Sequence, residues 1–394
     1  MNFKKNLVYF YTVKTQLHKP INRFMYNLRS KAIDLFETKK QEEKNHKYAI
    51  DLNYTLFTSS VKKIRKLHFL LEDFDSFRFV FIDGIYYYNR SLKKVDLYYE
   101  RFFSKEEAFL YFTEGLFLEN PIEILHISTG TCTKSFLFKT RNFIFLGKGS
   151  CVKIIERHKN LSLVDKANRI YNSETEVYLH ADSYLDYCNI KNDRTPTYFL
   201  GQTCIFQEHR SYCNINTFSF CGVSIMNFLS IYQLGKEILS HINGLSILEE
   251  HIIHNTLIAH FCPNGKSRDI YKGLFDKRAK TNFNGKIIVL KTAKKTNAIQ
   301  KSTNILLSNE SEVKANPQLE IFAEDVKCSH GTIVGKLNEK EIFYLRSRGI
   351  HISEAIKKLL FAFSKQILEC LPFKKLKNLI KKEINKNVRQ SRNS

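Results

Sequence analysis

The stretch PQLEIFAEDVKCSHGTIVGKLNEKEIFYLRSRGI, residues 317–350, changes its hydrophobic period once, and that change divides the chain. Leu319 to Val326 has the branched and aromatic content of a strand. Cys328 and His330 follow two positions apart, so an extended backbone points thiol and imidazole to one face. After Gly331 the pattern turns helical. Asn338 has the chemistry of an N-cap, Glu341 stands three residues on as a capping-box partner, and Ile342, Phe343 and Leu345 supply an apolar face. Gly349 is placed to end that helix.

Upstream, residues 116–335 break into many short strands of about four to eight residues. Examples are Glu123–Ile127, Phe143–Leu146, Cys151–Glu156, Glu176–Leu179, Thr203–Gln207, Lys236–His241 and Ile287–Lys291. Gly130, Gly147, Gly149, Asn172, Gly222, Gly244 and Gly285 read as the turns between them. Short strands without intervening helices predict an all-β body, and the pattern admits a sandwich, a barrel or a solenoid, since no clean internal period emerges.

Downstream, residues 336–394 predict helix. Ser353 reads as a cap, and Ile356, Leu359, Leu360, Phe363 and Ile367 form one apolar stripe that must bury against the β-body or a partner. Pro372 ends it, and the tail Phe373–Ile384 is basic and amphipathic. Residues 1–115 read as a mostly helical cap, from the stripe Leu28, Ala32, Ile33 and Phe36 and from a helix over Ser104–Phe112. Within that cap Phe77–Tyr88 predicts two short strands about an Asp83-Gly84 turn.

The quoted stretch resembles the SufB/SufD family of iron–sulfur cluster assembly proteins, on the SufD-like side. The resemblance rests on QLEIFAEDVKCSHG (318–331) and FYLRSRGI (343–350), with SRDIYKGLF (267–275), GKIIVLKTAKKTNAIQ (285–300) and NILLS (304–308) upstream. HKY at 46–48 and the Asp83-Gly84 turn are weaker echoes. The resemblance implies a right-handed parallel β-helix core flanked by helical N-terminal and C-terminal domains. It implies a non-catalytic scaffold that meets SufB through the 319–331 end of the β-helix. It also implies a C-terminal domain that docks the SufC ATPase, for which Phe343, Tyr344, Arg346, Arg348, Ile356, Leu360 and Phe363 are the candidate contacts. His330 of the KCSHG motif would then face a SufB cysteine, with Cys328 beside it, and an iron–sulfur cluster would assemble transiently between the subunits rather than rest stably on this chain. A homodimer without SufB and reduced flavin in the assembled complex are further implications, with no residue assigned to either. The alternatives are the paralogous SufB scaffold and a β-helix carbohydrate-active enzyme, which should show paired carboxylates along one strand face.

Chemistry alone adds limits. Thiolate and imidazole suit iron, zinc or copper, yet two ligands do not complete a four-ligand site. His251, His254 and His260 form a second group, but a strand would send His251 and His254 to opposite faces. Gly265-Lys266-Ser267 lacks the upstream glycine of a phosphate loop, because His260 stands there. Glu324 and Asp325, read as strand neighbours, point apart. The nine cysteines show no CxxC and no disulfide spacing. The net charge of +23 is concentrated at the ends, where residues 1–31 carry seven Lys/Arg and no acid, unlike a groove that tracks phosphates. Lys4 and Lys5 precede only the short apolar run Leu7 to Val13, without a cleavage signature or a membrane-length segment, so a cytoplasmic chain is expected.

Overall fold

In a computed structural model, the structure describes residues 76–87, 107–129, 136–161, 168–193, 197–248 and 250–390. Two mostly parallel sheets face each other across one core. The first holds β1 (Phe77–Ile82), β2 (Ile85–Tyr87), β4 (Ile122–Ser128), β6 (Cys151–Asn160), β8 (Tyr184–Asn192), β10 (Tyr212–Cys221), β12 (Leu239–Leu248), β14 (Lys266–Phe275), β16 (Thr296–Leu306) and β18 (Val326–Lys336). Its order is β18-β16-β14-β12-β10-β8-β6-β4-β1-β2. The second holds β3 (Glu107–Phe112), β5 (Phe136–Leu146), β7 (Arg169–Leu179), β9 (Thr197–Gln207), β11 (Ser224–Gln233), β13 (His251–His260), β15 (Lys280–Val289) and β17 (Glu312–Ile321), stacked in the same sense. β1 and β2 form an antiparallel hairpin in the first sheet; from β3 onward consecutive strands alternate between sheets and each pairs in parallel with the strand two further on, so the chain winds as a solenoid.

Alternation fixes what enters the coil. In β4, β6 and β8 the first inward residues are apolar, namely Ile122 and Ile124, Val152 and Ile154, Leu185 and Tyr187. The inward positions that follow are buried and polar: His126, then Glu156 and His158, then Asn189 and Lys191. Along these three strands the coil therefore has an apolar half and a polar half. This explains why strands expected to be four to eight residues long run to 10 or 11: the hydrophobic signal covers only part of the hydrogen-bonded strand, stopping early in β6 and starting late in β7.

Like stacks on like across the rungs. Tyr178, Phe206 and Tyr232 form a ring ladder with centroids 5.0 and 5.3 Å apart. Asn284 donates to Asn255 and Asn316 donates to Asn284 along another. One corner also repeats: Gly149, Asp182, Arg210, Glu237, Asn264 and Lys295 all have positive φ, from 53° to 65°. Each donates its backbone N–H to a carbonyl on the next rung, as Glu237 does to Pro263. Glu237 is exposed, occupies a left-handed conformation, and its charge adds only a minor attraction to Arg210. Glu237→Gly is expected to stabilise the fold by about 0.5 kcal/mol, the relief of that strain less the entropy of glycine in the unfolded chain, measured by urea unfolding.

Three helices follow: α1 (Glu339–Ser347), α2 (Ile352–Glu369) and α3 (Lys374–Gln390). Asn338 caps α1, and Gly349, at φ 80°, ends it with its N–H on Arg346 and that of Ile350 on Leu345. The cap of α2 is His351 rather than Ser353; the His351 ring accepts from the Ser353 backbone N–H. Ile356, Leu360 and Ile367 of α2 and Leu376, Ile380 and Ile384 of α3 share a core with Ile190, Phe218, Leu245 and Ile270 on the outer face of the first sheet. The stripe read from sequence thus packs back on the solenoid across β10, β12 and β14.

Other expectations shift. Ser104–Phe112 is not helical where described, because Ala108, Leu110 and Phe112 alternate into the core as β3. Asn172, Gly244 and Gly285 lie inside strands rather than turns. A Cβ on Gly244 would overlap the Tyr271 ring, and one on Gly285 the Gln300 amide, so these glycines make room for large neighbours. The Asp83-Gly84 turn is as expected, with φ 50° and 79°. The helix over 27–36 and HKY at 46–48 lie outside the described residues. No described helix is long and apolar enough to cross a membrane.

Candidate functional site

The site lies where the coil runs out. β17 pairs only with β15 and β18 only with β16, so both sheets end here with their edge backbone groups facing outward. Leu319–Val326 is not one strand: β17 stops at Ile321, a turn covers the next four residues, and β18 starts at Val326. Glu324 and Asp325 are exposed in that turn rather than opposed across a strand.

Cys328 and His330 sit on the inward face of β18, as their spacing requires. Cys328 is half-buried against the core and registers with Ala298; burial pushes its thiol above the usual range, against a smaller opposing effect of the Ala298 backbone. His330 is exposed and registers with Gln300. Behind it Gln300 donates to Asp269 at 2.9 Å, and Thr256 donates to the same oxygen at 2.8 Å. Burial pushes Asp269 up to about 6, with those two hydrogen bonds opposing. The imidazole at the open end is thus backed by a buried amide and a buried carboxyl on the two preceding rungs. His330 and Cys328 offer two ligand atoms to an incoming metal, and among the described residues no group of three metal-ligating side chains forms at this end.

Sequence reasoning missed the apolar rim around this end: Ile299, Ile321, Phe322, Ile333 and Val334 are all exposed, Phe322 by 56%. Isoleucine and valine in strands ordinarily signal core; here Ile321 and Val334 are on the inward face of end strands that no further rung covers, whereas Ile299 and Ile333 alternate to the outward face of the first sheet. The candidate contacts on the helices divide. Phe343 (72% exposed), Tyr344, Arg346 and Arg348 face outward on α1, with the Arg348 guanidinium 5.4 Å from the Tyr344 ring centroid. Ile356 and Leu360 are buried in the shared core and present no surface, and Phe363 is half-buried beneath the Lys272 ammonium at 4.6 Å.

The histidine group splits as the strand reading expects. His251 is exposed, whereas His254 and His260 face the coil interior, where burial pushes each down to about 3. His254 is held by Asn227 at 3.2 Å and Ser246 at 3.0 Å, and His260 by Ser267 at 2.9 Å, which are structural roles. Gly265-Lys266-Ser267 leads into β14, not a helix.

A family model described as SUF system FeS cluster assembly, SufBD core domain, matches residues 128–363. The chain is similar to the iron–sulfur cluster assembly protein SufD of Escherichia coli, 26% identical over 335 residues, 78% of each chain. It is similar to a SufBD family protein of Synechocystis, 27% identical over 271 residues, 67% of this chain and 60% of that one. SufD of Bacillus subtilis is 31% identical over 134 residues, 34% of this chain and 31% of its own.

Proposed function

This chain belongs to the SufBD core-domain family of the SUF system for iron–sulfur cluster assembly, and from that membership we propose that it is a SufD-like scaffold subunit. The coil would be right-handed, the sense that parallel crossovers adopt. Its open end would meet the corresponding end of a SufB subunit, and the observation that carries this reading is an exposed His330 on an uncovered terminal rung with an apolar rim. The cluster is substrate rather than resident group: iron and sulfide would assemble between His330, with Cys328 beside it, and ligands of the partner. Cys328 would have to lose a proton that burial now favours, which an arriving metal ion does by stabilising the thiolate. SufC would dock on α1 through Phe343, Tyr344, Arg346 and Arg348, and its ATP-driven dimerisation would strain the mating surface and open the ligands. The chain itself would carry no catalysis and would act in the cytoplasm.

The test is co-production with the SufB and SufC subunits of the same system. His330→Ala is expected to leave the complex intact on size-exclusion chromatography and to lower its iron and acid-labile sulfide several-fold. An unchanged cluster content would remove His330 from the mechanism.

A further inference from the structure

At the other end of the described coil, β4 and β6 bring a different set of ligands together. His126 and His158 are register partners, and Glu156 is the preceding inward residue of β6. All three are buried, and one donor atom from each lies within 4.8 Å of the others. His126 Nε2 is 2.9 Å from Glu156 Oε1. The second oxygen, Glu156 Oε2, accepts from the Tyr187 hydroxyl and from Asn189 Nδ2 at 3.1 Å, which fixes the carboxylate in place.

His158 is the anomaly. It is 7% exposed, and neither ring nitrogen has a hydrogen-bond partner. Its neighbours are rings: His126 stacked at 4.6 Å, Tyr171 at 4.7 Å and Phe199 at 4.9 Å. A buried imidazole with both nitrogens unused is costly, and an aromatic filler would not need them. We propose that His126, Glu156 and His158 bind one divalent first-row transition-metal ion inside the coil.

Two imidazoles and a carboxylate are the donor set that suits iron(II) or zinc. Metal–nitrogen bonds of about 2.1 Å set donors roughly 3.4 Å apart in a tetrahedral site, and rotation of the two stacked rings closes the gap from 4.8 Å. The ion would take the place of the proton between His126 and Glu156, which leaves to solvent. Lys191 is a charged neighbour that opposes a cation; it donates to Asn227, and burial pushes it down to about 8 against the pull of Glu156, so its proton is loosely held. The site is six strand spacings from β18, about 29 Å, and does not depend on the cluster-assembly reading.

The experiment uses the full chain with Cys328→Ser and His330→Ala, so that the open end offers no ligands, produced with cobalt(II), zinc(II) or, anaerobically, iron(II). Close to one equivalent of metal per chain is expected. It should fall at least tenfold in Glu156→Gln, which keeps an acceptor for Tyr187, and in His158→Phe, which keeps the ring stack. X-ray absorption on the cobalt form should show imidazole scattering without sulfur. A metal-free chain with all three ions, undiminished metal in both folded variants, or a thiolate-to-cobalt charge-transfer band would overturn the proposal. The absorption result decides the matter even if a variant fails to fold.

Discussion

Phe322→Asp combined with Ile333→Asp is expected to abolish capture of the SufB subunit, weakening association by a hundredfold or more while leaving the fold unchanged. Both side chains are more than half exposed on the chain alone, so the substitutions remove little from the monomer core. In a mated interface they would be desolvated beside unpaired edge backbone, where a carboxylate without a partner costs several kcal/mol. Phe322 follows the end of β17 and Ile333 lies in β18, so the two charges sit on both sheet edges and a shifted docking cannot avoid them. Co-purification and sedimentation of the co-produced subunits measure the effect, with circular dichroism as the check on folding. Retention of the complex would mean that the partner sits elsewhere and that the 319–331 end is only the unfinished end of a coil.

Gly235→Ala is expected to destabilise the chain by about 3 kcal/mol or more, lowering the folded-to-unfolded ratio about a hundredfold. Gly235 sits where one rung presses on the last. An added Cβ would overlap the His209 backbone nitrogen and lie 2.8 Å from the Glu208 carbonyl carbon and the His209 Cα. Those atoms are backbone, pinned by the Arg210 N–H to Lys236 bond of the same corner, and cannot turn aside as a side chain would. Denaturant unfolding, compared with Gly331→Ala, where a Cβ meets nothing within 4 Å, separates crowding from the general cost of replacing glycine.

The local signals that survived are those in which one residue type answers one backbone need. Asn338 and Gly349 bound α1 as their chemistry requires, Asp83 and Gly84 make a hairpin turn, and the spacing of Cys328 and His330 puts both on one face. The repeat itself was illegible. Rungs are offset by 27 residues between Asn227 and His254, 28 between Asp186 and Asn214, and 31 between Asp269 and Gln300, so no fixed period exists to find. The recurring corner would announce itself if glycine or asparagine held it throughout, as Gly149 and Asn264 do on two rungs. Asp182, Arg210, Glu237 and Lys295 stand there on the others, and rung-to-rung hydrogen bonds hold their backbone in the left-handed region. The polar half of the coil likewise hides strands whose inward residues look like surface. His126, Glu156 and His158 were overlooked for that reason, although Ile122, Ile124 and His126 already keep the two-residue spacing. The helix expected over 104–112 failed because a capping serine and two glutamates outweighed the alternation of Ala108, Leu110 and Phe112.

The placement of α2 and α3 also has a mechanical consequence. They grip β10, β12 and β14, in the middle of the stack, and each strand is coupled mainly to its immediate neighbours. A load applied to the helices therefore enters the coil by two routes, through β10, β12 and β14 and through α1, which follows the end of β18 directly and packs on α2. The rung bearing His330, paired with a neighbouring strand on one side only, thus stands where the two routes converge.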